Sequence, residues 1–319
     1  MMVIPDLMQA ITLENYGGLE VLQYKRVPVP KIKDDQLLVK VHSAGVSPFD
    51  LHVRDGWYKD SSYYTFPIIL GWEVSGIVVR CGHGSIRFHE GDAIFAYINA
   101  FHNGGGYAEF VAIKEEEAAL KPPAISHDMA VRAASMNALT AWQALFDTAQ
   151  LTAGQRILIH GGAGGVGHLA IQLAKLKGAY VITTASSKHK AFLLNLGVDE
   201  IIDYTQTPFE ENVRNVDVVL DTIGGETLRK SFSVLKQGGT VVSIIDFEGI
   251  KEAAHHQVQG KTTIATPNAE QLLTIANLLK ENKLQAYVGH HFSLKEAAQA
   301  HALLQAGHTQ GKIVLNPGK

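Results

Sequence analysis

Apolar and polar positions alternate with period two along Leu37–His42, Ser75–Arg80, Ala93–Ile98 and Ala108–Ile113. That alternation predicts half-buried β-strands. Turn signals separate them: Pro28 and Pro30, Asp34–Asp35, Gly82–Gly84, and Glu90-Gly91-Asp92. Many short strands punctuated in this way suggest a barrel-like or sandwich domain over residues 1 to 126. Gly104-Gly105-Gly106-Tyr107 is expected to form a mobile loop leading into the strand from Ala108, and Lys114–Glu117 a solvated turn.

The pattern then changes. Ala133–Thr148 reads as a helix, with Trp142 and Leu145 in the core. Arg156–His160 is a short apolar run, which fits a strand buried on both faces. A glycine-rich turn follows over Gly161–Gly167. Leu169, Ala170, Leu173, Ala174 and Leu176 then recur at helical spacing until Gly178. Further strands are expected at Tyr180–Thr184, Glu200–Asp203, Val216–Asp221 and Thr240–Ile244, with Val181 and Ile201 as core positions and a helix over Thr227–Leu235. Strands alternating with helices predict a doubly wound parallel sheet, a Rossmann fold, over residues 127 to 265. Amphipathic helices over Asn268–Lys283 and Leu294–Ala306 precede a last strand.

The turn carries the clearest chemistry. Gly162, Gly164 and Gly167 fit G-x-G-x-x-G, placed after a strand and before a helix. The first glycine is expected to permit the tight turn, the second to let the backbone approach a pyrophosphate, and the third to let helix and strand pack closely. Gly162, Ala163, Gly164, Gly165, Val166 and Gly167 are therefore candidate cofactor-binding residues. The helix start offers them free N–H groups and a positive dipole end. An NAD site places an acid about 20 residues past the motif, to hold the ribose 2′-hydroxyl. That window here ends in Ala185-Ser186-Ser187-Lys188-His189-Lys190, and no acid appears before Asp199. A carboxylate would repel a 2′-phosphate, whereas hydroxyls donate to it and lysines neutralise it. The expected cofactor is NADPH, with Ser186 and Lys188 or Lys190 on the phosphate. The alternative for the lysines is a solvated helix start. Ligands of such sheets lie at the strands' carboxyl ends, which adds Thr222, Ser243 and Ile244.

Composition narrows the classes. A chain of 319 residues with 46% hydrophobic and 18% charged residues is an ordinary globular protein of about two domains. A formal charge of −3 gives no electrostatic case for nucleic acid or an anionic membrane. Cys81 is alone, so no internal disulfide or cysteine-rich zinc site can form. No apolar run reaches membrane-span length and the N-terminus lacks a basic, then apolar, signal pattern, so the expected location is cytoplasmic. The adjacent pairs His255–His256 and His290–His291 are poorly placed to share a metal and read as surface or loop residues.

The run Val41-His42-Ser43-Ala44-Gly45-Val46-Ser47-Pro48-Phe49-Asp50, then Gly71-Trp72-Glu73-Val74-Ser75-Gly76, then Gly91-Asp92, resembles the N-terminal domain of the medium-chain dehydrogenase/reductase family. The resemblance extends over almost the whole chain, ending in Gly311-Lys312-Ile313-Val314. It implies a discontinuous GroES-like β-barrel catalytic domain, residues 1–126 and 266–319, around the Rossmann domain. Zinc alcohol dehydrogenases of the family place Cys where this chain has Ser47 and His where it has Trp72, and carry a four-cysteine lobe that is missing here. Ser47, Trp72 and Glu73 make a poor ligand set. The resemblance therefore points to the zinc-independent, quinone oxidoreductase-like branch. It implies a reductase that passes hydride from NADPH to a small-molecule quinone or α,β-unsaturated carbonyl. An alcohol or aldehyde oxidoreductase, or an NADPH-binding redox sensor without turnover, are the alternatives. By the same resemblance Phe49 and Asp50 lie at the nicotinamide end, Asp50 being alternatively a capping carboxylate. Tyr58 of Arg54-Asp55-Gly56-Trp57-Tyr58 faces substrate, while Tyr63 and Tyr64 face substrate or only pack. Asn137 and Thr140 approach the nicotinamide and Tyr204 the adenosine phosphate. Lys312 touches cofactor phosphate or is a surface lysine. Tyr58 and Asp50 are the candidate catalytic residues. The resemblance also points to a homodimer through edge strands of the Rossmann sheet, which no residue pattern of its own requires.

Overall fold

A computed structural model describes residues 3–133, 136–285, 288–307 and 312–318. The chain divides into two compact units. One comprises Met1–Met136, Thr266–Asn282 and Ala286–Lys319, the other Asn137–Ala265 and Lys283–Gln285. The first cut falls at Met136 rather than at 126, because the helix His127–Ala133 is bonded into the first unit. Ser126 caps that helix by accepting from Met129 N at 3.2 Å, His127 Nδ1 meets Ser75 Oγ at 2.8 Å, and Ser43 donates its hydroxyl to Asp128. The short return Lys283–Gln285 belongs to the second unit, where Gln285 N donates to Gln172 Oε1 at 2.6 Å and Gln172 Nε2 donates to Gln285 O at 2.9 Å.

Among the described residues, the first unit holds two sheets. The larger runs Val288–Ser293, Lys312–Asn316, Gln36–Val46, Glu73–Cys81, Ala93–Tyr97, Ala118–Leu120, with Phe110–Lys114 also paired to Gln36–Val46. Only the pairing of Val288–Ser293 with Lys312–Asn316 is parallel. The smaller sheet is Gln23–Pro28, Leu7–Leu13, Ile68–Ile69. The expected strands thus appear, each within a few residues of its sequence bounds. Residues 308–311, which open the family-like C-terminal segment, lie outside the described residues. His290 and His291 are exposed on a strand, and His255 and His256 end a 3₁₀ turn.

The second unit is one parallel sheet in the order Glu200–Asp203, Tyr180–Ala185, Arg156–Ile159, Val216–Asp221, Leu235–Ser243, Gln259–Thr262. This is the doubly wound order, reversing direction beside the first strand of the unit. Leu158, Ile182, Val219 and Val241 from four neighbouring strands share a core with Leu228 and Phe232. Of the helix expected over 133–148, residues 134 and 135 lie outside the described residues; Ala133 is helical, and Met136–Trp142 runs on into a π-helical stretch, Gln143–Thr148. Leu145 is buried, while Trp142 is half-buried with its ring edge-on to Phe146.

The glycine run 104–106 is not a mobile loop. Gly105 N, Gly106 N and Tyr107 N each donate at 2.9 Å, to Ile69 O, Gly71 O and Leu70 O. Glycine here serves close approach of two backbones rather than freedom. Gly71 faces it with φ +91°, and a Cβ there would lie 2.5 Å from Tyr107 Cδ1 and 2.9 Å from Tyr107 N. Gly91 has a similar φ of +96° with nothing within 4 Å. Gly91→Ala should therefore cost only the left-handed strain, about 1–2 kcal/mol. Gly71→Ala should add overpacking, for a total of about 3–4 kcal/mol. Denaturant unfolding of the two variants checks this, and equal losses would show that the Tyr107 contact yields.

Candidate functional site

In the second unit the strand Arg156–Ile159 ends at the turn. The residue that needs left-handed backbone is Gly161, φ +65°, not Gly162 as the motif suggests. A Cβ on Gly161 would also sit 2.7 Å from Thr222 Oγ1. Gly162 is required because a side chain would collide with the Thr183 hydroxyl, and Gly167 because one would collide with the Gly161 carbonyl. The third glycine thus does what its position predicts: it lets the helix Gly167–Leu176 start against the turn. Gly164 and Gly165 are exposed at the tip, between half-buried Ala163 and Val166. The Asn137 amide packs under Gly165, where a Cβ would collide with Nδ2. Thr140, one turn on, is buried.

A buried histidine that the sequence reading treats only as the end of a strand locks this turn. Ser231 gives its hydroxyl to Thr227 O at 2.6 Å, so it accepts from His160 Nε2–H at 2.9 Å. His160 Nδ1 must then accept from the Thr184 hydroxyl at 3.1 Å, and Thr184 Oγ1 in turn accepts Gly161 N at 3.3 Å. Burial pushes the imidazole down to about 4, so it stays neutral at physiological pH.

At the end of Tyr180–Ala185, Ser186 is half-buried, and Lys188 and Lys190 are exposed on the short helical turns that follow. Asp203, at the end of the neighbouring strand, supplies a carboxylate to this corner. It accepts Ser187 N at 3.0 Å, Thr205 N at 2.9 Å and Thr205 Oγ1 at 2.7 Å, which hold its pKa below the usual range. Tyr204 beside it is 62% exposed. Farther along the sheet, Thr222 Oγ1 donates to His160 O at 2.9 Å. Ser243 is fully buried and gives its hydroxyl to Asp221 Oδ2 at 2.7 Å, while Ile244 N donates to Asp221 O at 3.1 Å. The Ser243 side chain is therefore a brace for the strand ends, not an open ligand.

In the first unit, Phe49 stands edge-on to Trp72 at 4.9 Å and tilted against Tyr58 at 5.5 Å, with Tyr64 at 6.2 Å from Tyr58. Burial raises the pKa of the half-buried Tyr58 above its ordinary 10, so its phenol remains a hydrogen-bond donor rather than an acid at neutral pH. Tyr64 is tied down by a 2.6 Å bond to Ala100 O, and Tyr63 packs on Phe101 at 4.9 Å, the packing reading for both. Asp50 is a cap. Its Oδ2 accepts Ser47 N at 2.8 Å and Ser47 Oγ at 2.7 Å, closing a capping box at the helix Pro48–Arg54, and its Oδ1 accepts Gly71 N at 3.0 Å. At 1% exposed, with three donors on it, Asp50 joins the Phe49 and Trp72 segments, and these contacts support its capping role.

The comparisons agree with this architecture. A family model described as alcohol dehydrogenase GroES-like domain matches residues 33–123, and one described as zinc-binding dehydrogenase matches 196–315. An NADPH-dependent alkenal/one oxidoreductase, chloroplastic, of Arabidopsis thaliana is 34% identical over 98% of this chain and 81% of its own. The quinone oxidoreductase of Mus musculus is 29% identical over 97% and 98%. The solved quinone oxidoreductase of Coxiella burnetii superposes with a TM-score of 0.90 at 34% identity, over 97% of this chain and 99% of that one. The chain belongs to the medium-chain dehydrogenase/reductase family. Its place is in the quinone oxidoreductase-like branch.

Where zinc members of that family hold their metal, the donors here are otherwise engaged. Ser47 donates its hydroxyl to Asp50, and Trp72 Nε1 donates to His102 O at 2.9 Å. Glu73, 1% exposed, forms an ion pair with Lys312 and accepts Met136 N at 2.8 Å. Register places them together, since Ile313 lies opposite Val46 and Val314 opposite Gly45. Any side chain on Gly45 would collide with the Glu73 carboxylate. Lys312 is 8% exposed in its side chain, so it is neither the phosphate ligand nor the surface lysine expected from sequence. An ammonium already neutralises Glu73, and the remaining donors do not suit zinc. Among the described residues no three His, Cys, Asp or Glu side chains converge as a metal site, and no helix is long and apolar enough to cross a membrane.

Burial raises the Asp50 pKa from 3.8 to about 6. Ionising it therefore costs the folded state: the stability linked to this group is complete below its unfolded pKa and is lost as pH rises through the folded one. Between about pH 4 and pH 7 the wild type should lose about 2 kcal/mol relative to Asp50→Asn, read from denaturant unfolding across pH. A pH-independent difference would mean that the three donors cancel the burial cost.

Proposed function

We propose that this protein is an NADPH-dependent, zinc-independent reductase of quinones or α,β-unsaturated carbonyl compounds. One observation carries the cofactor choice: Tyr180–Ala185 ends in Ser186, Lys188 and Lys190, and the nearby Asp203 is turned onto Ser187 N and Thr205. Bound NADPH would supply a hydride at its nicotinamide. In this reading Gly161–Gly167 hold the pyrophosphate, Asn137 and Thr140 approach the nicotinamide, and Ser186 with Lys188 or Lys190 holds the 2′-phosphate beside Tyr204. The main chain at Thr222 and Ile244 borders the remainder. Phe49 and Tyr58, backed by the buried Trp72, present an apolar wall with one phenol donor, which suits a flat conjugated acceptor whose oxygen gains charge on reduction. Tyr58 Oη keeps its proton and donates a hydrogen bond to that oxygen, and the proton of the product comes from water. No step needs a metal, and the Glu73–Lys312 pair supports a zinc-free enzyme.

The names of the relatives, an alkenal/one oxidoreductase and quinone oxidoreductases, support the same acceptor class. Titration calorimetry should show Lys190→Ala or Lys188→Ala weakening NADPH about tenfold or more while leaving NADH within about twofold, as loss of one charge-assisted contact requires. Ser186→Asp should weaken NADPH further and reverse the preference. Equal affinity of the wild type for NADH and NADPH would sink the cofactor choice. Turnover is read as NADPH consumption with 1,4-benzoquinone and 3-penten-2-one: binding without consumption would favour a redox sensor, and stoichiometric zinc with alcohol oxidation a zinc dehydrogenase.

A further inference from the structure

Behind the aromatic wall of the first unit lies a buried polar network that the proposed reaction does not use. Arg54, His301 and Tyr107 are each no more than 1% exposed. Arg54 Nη1 lies 3.2 Å from His301 Nδ1, and Tyr107 Oη lies 3.1 Å from His301 Nε2. Arg54 also pairs with the half-exposed Asp55 through Nη2 at 2.6 Å and Nε at 2.9 Å. These contacts admit one arrangement of protons. A guanidinium has only donors, so His301 Nδ1 must accept. A ring whose Nδ1 accepts carries its proton on Nε2, so Nε2–H donates to Tyr107 Oη. The phenol proton is then left to face Asp50, whose interaction with Tyr107, after burial, raises the phenol's pKa well above the ordinary value. Burial first, and the Arg54 charge second, push His301 down to about 3, so the ring does not change state near neutrality.

The two contacts around the ring therefore have one direction: Arg54 donates to His301 and His301 donates to Tyr107, whose ring lies against Gly71, the residue that donates its N–H to the Asp50 cap beside Trp72. We propose that His301 is a positioning residue for the acceptor: locked as the Nε2–H tautomer by Arg54, it holds Tyr107 against Gly71, whose N–H the Asp50 cap accepts, and so fixes the Phe49–Trp72 wall. His301 comes from the helix Ala297–Gln305, and no sequence motif discussed above contains it. The kinetic part of this proposal rests on the reductase reading; the tautomer part does not.

Two measurements test it. In long-range ¹H–¹⁵N spectra of the histidine-labelled wild-type protein, His301 should show a bare Nδ1 and a protonated Nε2, unchanged from about pH 5 to pH 8. A protonated Nδ1, or a ring that titrates in that range, overturns the proposal whatever the enzyme's substrate. In kinetics with 1,4-benzoquinone and NADPH, His301→Phe keeps ring volume but breaks both contacts. It should raise KM for the quinone about tenfold with kcat within about threefold, since an interaction shared by ground and transition states is lost. His301→Gln, whose amide can accept from Arg54 and donate to Tyr107, should restore KM to within about threefold of wild type. A fall in kcat alone, or equal KM values in all three proteins, overturns the positioning role. Absence of quinone turnover in the wild type would instead refute the reductase reading and leave the spectra to decide the tautomer.

Discussion

The first unit depends on one buried carboxylate. Asp50 accepts two donors from Ser47 and one from Gly71, and so joins two stretches of chain, one carrying Phe49 and the other Trp72. Burying a charge is costly unless polar groups surround it, and those donors are the surroundings. Their geometry in turn needs glycine at 71, because left-handed backbone and the pressure of Tyr107 leave no room for a Cβ. The aromatic wall is therefore set by polar contacts behind it, more than by the affinity of the rings for one another.

The second unit solves a different problem with the same means. Its turn must bring a helix start close to a strand end, and three glycines at 161, 162 and 167 each remove a specific collision. His160 and Thr184 then hold the turn from beneath through bonds whose direction is fixed. The turn proposed to cradle a pyrophosphate is thus held in shape by its own bonds, so no affinity would be spent on ordering it.

Much of this was legible in sequence. Strand-turn-helix order around Gly162, Gly164 and Gly167 gave the sheet, since apolar periodicity and glycine punctuation agree there. Ser47 and Asp50, three apart at a helix start, carried the capping signal beside the catalytic one, and burial decides between them. Other features had no local signal. Gln259–Thr262 and His290–His291 form strands although their exposed polar residues show no alternation. Gly104–Gly106 looked mobile because the residue that gives a chain freedom is also the one that lets two backbones touch. Lys312 was misplaced because its partner, Glu73, is remote in sequence and meets it only through strand pairing.

That pairing constrains what the fold can be turned into. Exchanging Ser47 and Trp72 for cysteine and histidine would recreate the letters of a zinc centre, yet Lys312 would still be paired with Glu73, in space that only the bare α-carbon at 45 leaves open. A redesign of this corner would therefore have to reckon with the C-terminal strand, at a position that no inspection of the ligand motif would reveal.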